Sequence, residues 1–135
     1  MKSKLEKSSR ALAILLVVTG LGHFVFPQPL DAIVPPALPF EPRFWTYLSG
    51  VAELVVAGLL LVPAKVSFKN ISIKRFGIWS ALSLFVLVYP ANIYMAIDWS
   101  SRGFIEAFPA YLRLPFQFGL FYWCWYLLKL EKVSK

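Results

Sequence analysis

Apolar residues gather in four runs, 11–26, 44–62, 76–97 and 110–128, broken by stretches rich in proline or charge. A helix needs about 20 residues, within a range of about 17–25, to cross the hydrocarbon core of a bilayer. The last three runs have that length. The first is shorter and is expected to extend toward Ser8 or Pro27. The pattern predicts four membrane-spanning helices over about 9–27, 44–62, 76–97 and 110–128, in one domain covering 1–135. The basic start and the string ALAILLVV also fit a secretory signal peptide. No A-x-A-like cleavage site follows, and the run stays apolar to Phe26, so a retained helix is the better reading.

Composition agrees with a membrane class. The chain is 59% hydrophobic and 16% charged, against about 25% charged residues in an ordinary soluble domain. Basic residues sort by segment. Lys2, Lys4, Lys7 and Arg10 precede the first run. Lys65, Lys69, Lys74 and Arg75 lie between the second and third, and Lys129, Lys132 and Lys135 end the chain. The other two loops carry only Arg43 and Arg102, diluted by Asp31, Glu41, Asp98 and Glu106. Because positive loops resist translocation, both termini are expected to be cytoplasmic. The fold class this predicts is an all-α membrane protein, an antiparallel four-transmembrane-helix bundle with N-in/C-in topology. The net charge of +7 is then a topology signal. Nucleic-acid binding is not expected, because no soluble basic-aromatic surface accompanies the charge. Trp45, Tyr47, Trp99 and Tyr111 fall near the outer interface, and Trp123, Trp125 and Tyr126 near the inner one, as interfacial rings do.

Five polar side chains interrupt the spans: His23, Glu53, Asn92, Arg113 and Gln117. Helical rise puts His23, Asn92 and Arg113 about 6–9 Å from the outer end, and Gln117 and Glu53 about 12–14 Å in. All five therefore fall in the outer half. Thr19 and His23, Ser49 and Glu53, and Arg113 and Gln117 are four apart, and Tyr89 and Asn92 three apart, so each helix carries a polar stripe. Lipid disfavours such stripes, which predicts convergence on a polar pocket containing His23, Ser49, Glu53, Asn92, Arg113 and Gln117. Glu53 and Arg113 are read either as a buried ion pair that fixes register or as a ligand-binding or proton-handling pair. His23 is a proton relay or a hydrogen-bonded packing residue. Asn92 and Gln117 read as interhelical glue, and Pro90 as the cause of a kink.

The segment 28–43 holds five prolines yet stays apolar. It is expected to form a stiff cap through Pro35 and Pro36, either lidding the pocket or merely tying helix one to helix two. Residues 62–75 read as an ordinary connector. Cys124 stands alone, so no disulfide or C-x-x-C redox pair is available. No metal site is expected from one histidine and one cysteine.

The strings GLGHFVFP, IVPPALP, SGVAEL, GLLLVP, YPANIYMA and RLPFQ, in that order, resemble the DoxX-like family of small four-helix membrane proteins. The similarity runs from about residue 20 to 117. It implies a bundle in the bacterial cytoplasmic membrane and marks Gly22, His23, Pro27, Pro35, Pro36, Gly50, Glu53, Pro90, Asn92, Met95, Arg113, Pro115 and Gln117. Some members are associated with quinone-linked sulfur oxidation or redox-stress complexes, and more distant ones with membrane-protein assembly. Two functions follow as expectations. One is a redox-associated subunit binding quinone or a small amphiphile; the other is a non-enzymatic assembly or interaction factor. The partners implied are the lipid bilayer and a membrane-protein or redox partner, and no reaction is assigned. A ring-sized cavity beside Glu53 and Arg113 would favour the first function. A packed, self-satisfied network would favour the second.

Overall fold

The structure, a computed structural model, describes residues 2–134. Lys135, counted above in the basic C-terminal tail, lies outside the described residues. In chain order the elements are α1 (Lys2–Val25), α2 (Pro27–Asp31), α3 (Pro42–Leu61), β1 (Ser67–Phe68), β2 (Ile71–Ser72), α4 (Ile73–Trp99) and α5 (Phe104–Val133). The fold is all-α apart from one two-stranded hairpin.

Local chemistry explains the boundaries. Phe26, ahead of Pro27, leaves the helical region at φ −129°, ψ 64° and ends α1. Val62, ahead of Pro63, is extended and ends α3. A proline's ring disfavours the helical conformation in the residue before it. Pro42 opens α3 at the position where a missing N–H costs nothing. The Ser72 hydroxyl accepts from Arg75 N at 3.3 Å and caps α4. Residues 62–75, read as a plain connector, contain the hairpin, with Ser67 paired to Ser72 and Phe68 to Ile71. Its two-residue turn needs positive φ at both positions, and Lys69 (49°) and Asn70 (66°) supply it.

Three helices, α1, α3 and α4, are long and apolar enough to cross a membrane. The fourth expected span falls on α5, which at 30 residues has ample length. Arg113, Gln117, two prolines and the ring-rich stretch 122–126 hold its hydropathy down, so it is not in that set. The first span is longer than its apolar run. Its helix starts at Lys2 rather than Ser8, because helical hydrogen bonding continues through the polar turns.

α1 packs along α3, α4 along α5, α3 meets α4, and α1 touches α5. One buried apolar cluster joins all four, including Leu12 and Leu16 from α1, Leu60 from α3, Ile78 from α4 and Leu127 from α5. It reaches Leu16, Val56, Phe85 and Leu120 and stops there. Beyond those residues, every described hydrogen bond, ion pair and ring contact stays within α1–α3 or within α4–α5. The expected polar cluster lies in this second half.

Candidate functional site

A close helix crossing brings His23 to Glu53. A Cβ added at Gly50 would sit 2.8 Å from His23 Cβ and 2.8 Å from Phe24 Cε2, and one at Gly20 would meet Glu53 Cβ at 3.2 Å. Glycine at both positions lets α1 and α3 approach at this level. His23 Nε2 then lies 3.2 Å from Glu53 Oε1, with the two side chains 15% and 13% exposed. His23 Nδ1 lies 2.8 Å from the Thr46 carbonyl. A carbonyl oxygen only accepts, so Nδ1 carries a proton. The contact between Nε2 and Glu53 therefore holds one further proton, on the imidazole or on the carboxyl. Thr19 Oγ1 donates to Glu53 Oε2 at 2.5 Å.

The network continues into the proline-rich segment. Thr46 Oγ1 donates to Asp31 Oδ1 at 2.6 Å, and Arg43 Nε donates to Asp31 Oδ2 at 2.8 Å. Trp45 Nε1 donates to the Pro39 carbonyl. Pro35 is half-buried and Pro36 exposed. No described hydrogen bond or ion pair runs from 28–43 to α4 or α5. The segment straps α1 to α3, and part of it is the short helix α2, with Pro27 buried at its start.

Asn92 and Gln117 form a second couple between α4 and α5, both buried. Asn92 Nδ2 donates to Gln117 Oε1 at 3.2 Å, and Gln117 Nε2 donates to the Phe85 carbonyl at 2.8 Å. Phe85 lies five residues before Pro90, which sits inside α4 without ending it.

Arg113 joins neither couple. It is exposed on α5 and has no hydrogen bond or ion pair among the described residues. The buried ion pair between Glu53 and Arg113, one of the two readings of these residues, is not found among the described residues; the partner of Glu53 is His23. Ser49 is half-buried on α3 and likewise has no described hydrogen bond. Spacing along one helix says which residues share its face, but not which neighbouring helix that face meets.

A third polar centre, at the opposite end, carries no signal in helical spacing. Lys74 is fully buried. Its Nζ donates to Glu6 Oε2 at 2.8 Å, Ser9 Oγ at 2.8 Å and the Leu60 carbonyl at 2.9 Å. Glu6 Oε1 accepts from Ala64 N at 2.8 Å. The cluster ties α1 to the last turn of α3 and the first of α4, and satisfies a helix-end carbonyl. Arg75 Nη1 lies 3.4 Å from the buried Glu131 carboxylate.

Among the described residues the one buried side-chain nitrogen or oxygen without a partner is Trp99 Nε1. No fully buried nitrogen or oxygen of the two couples in the second half is left without a partner among the described residues. Two cavities lie elsewhere. One, of about 420 Å³, sits at the Glu6–Glu131 end; the other, of about 340 Å³, lies on the flank of α3 and α4 against Ala52, Trp79 and Ser83. Neither is lined by His23, Glu53, Asn92, Arg113 or Gln117. No group of three or more His, Cys, Asp or Glu side chains among the described residues could hold a metal ion.

Residues 12–128 match the family described as Domain of unknown function (DUF8561), and the chain belongs to that family. No curated protein and no solved structure matches it.

Proposed function

For this member of the DUF8561 family, we propose a non-enzymatic role in assembling or holding a complex within the bacterial cytoplasmic membrane. In this reading the four long helices form an antiparallel bundle, with α5 as the fourth span and both termini cytoplasmic. The basic segments support that orientation, and the apolar cluster shared by all four helices supports the bundle. The DoxX-like resemblance is consistent with it.

One observation carries the functional reading. Glu53 has His23 as its partner, while Arg113 stands on an exposed face of α5 with no hydrogen bond or ion pair among the described residues. An arginine costs about 2.5–3.5 kcal/mol at the centre of a span, and Arg113, nearer the end of its span, carries part of that cost. A carboxylate from a second membrane protein would offset that cost, and the exposed Leu112 and Phe116 beside it offer apolar contact. The test is a photo-cross-linking residue at Phe116 in native membranes. The expected outcome is an adduct to another membrane protein that disappears with Arg113→Leu. Adducts to lipid alone, or an adduct indifferent to Arg113, would count against the role.

A second reading, binding of a quinone or small amphiphile, rests on the contact between His23 Nε2 and Glu53 Oε1. A histidine in contact with a carboxyl group can pass a proton to or from a bound ligand. It predicts that a short-chain quinone raises the thermal stability of wild type and not of Glu53→Gln.

A further inference from the structure

The cavity of about 420 Å³ lies where α1 begins and α3 and α5 end, and Lys2, Lys65, Glu6 and Glu131 are among the residues lining it. Its two carboxylates already have cations. Glu6 is held by Lys74, and Glu131 by Arg75. Lys2 and Lys65 have no hydrogen-bond or ion-pair partner among the described residues. With the two ion pairs cancelling, the described lining residues keep the charge of these two lysines. The lysines therefore decide the sign.

From this charge balance the geometry points to a binding site for a phosphate-bearing anion, held by Lys2 and Lys65 at the mouth of the cavity. Ammonium groups suit phosphate as compact point charges on flexible stems. Under the membrane reading the cavity opens at the cytoplasmic interface, where anionic lipid headgroups are concentrated. The ligand is then a lipid headgroup phosphate or free phosphate. Only the lipid source depends on that reading.

The test is thermal unfolding of the full chain in neutral detergent with three additives: short-chain phosphatidylglycerol, short-chain phosphatidylcholine and inorganic phosphate. A ligand that binds only the folded state raises Tm with concentration. Phosphatidylglycerol is expected to raise the Tm of wild type by a few degrees, and phosphatidylcholine not to. Equal stabilisation by inorganic phosphate identifies free phosphate as sufficient. Lys2→Gln/Lys65→Gln should lose the shift and Lys2→Arg/Lys65→Arg should keep it. Lys4→Gln/Lys7→Gln removes the same charge from exposed positions outside the cavity and should also keep it. No shift in wild type with either anion would overturn the site. So would equal loss in the Lys4/Lys7 control, which would reduce the effect to general attraction of a basic tail.

Discussion

His23 Nε2 lies 3.2 Å from Glu53 Oε1, and that contact decides how the charges of Glu53, His23 and Arg113 are shared. The imidazole cannot turn away freely, because its other nitrogen is held by the Thr46 carbonyl. Thr46 is in turn fastened through its hydroxyl to Asp31. The proline-rich strap therefore orients the histidine, and the histidine holds the carboxyl. Arg113 has no part in this chain of contacts.

The crossing that permits the contact is tight at Gly50. A methyl group there would meet His23 Cβ and Phe24 Cε2 at 2.8 Å, closer than packed atoms tolerate. Gly50→Ala is expected to destabilise the protein by about 1–3 kcal/mol, the usual cost of overpacking. Gly58→Ala, which meets nothing within 4 Å, should be close to neutral. Unfolding midpoints in detergent check the pair.

Lys74 is the most buried charge in the molecule's polar clusters, and Glu6 is its counter-ion. Removing one member of such a pair strands the other. Lys74→Met should cost about 3 kcal/mol, and Glu6→Gln/Lys74→Met should recover much of that loss. Recovery is the informative result, because a lysine kept only for packing would give additive losses.

Topology can be read with single cysteines, since native Cys124 is buried. Ser101→Cys, in the turn between α4 and α5, should react with a membrane-impermeant maleimide in intact cells. Ser67→Cys, in the hairpin, should react only after the membrane is opened. The reverse pattern would invert the orientation drawn from the basic residues.

Much of the helical plan is visible in the sequence, and its limits are physical. The run 44–62 became Pro42–Leu61 and the run 76–97 became Ile73–Trp99. The apolar stretch marks what suits lipid, while caps and prolines decide where the backbone turns. Helical rise alone puts His23 and Glu53 in the same half of the membrane. The pairing of Glu53 with His23 rather than Arg113 depends on how each helix is rotated about its axis, which spacing within one helix does not contain. Lys74 reads as one more basic loop residue, because its partners Glu6 and Ser9 lie 68 and 65 residues away. The hairpin was hidden for a different reason: two-residue strands are too short to show alternation.

A double-mutant cycle tests the division of charge most directly. Unfolding free energies would be measured for Glu53→Gln, His23→Gln, Arg113→Gln and the pairs 53/23 and 53/113. A coupling of about 1 kcal/mol or more is expected between positions 53 and 23, as for hydrogen-bonded groups between membrane helices. Positions 53 and 113 should be additive within about 0.5 kcal/mol, as for sites without shared contacts. Strong coupling between 53 and 113, with none between 53 and 23, would contradict the account and take away the unpaired arginine on which the assembly role rests.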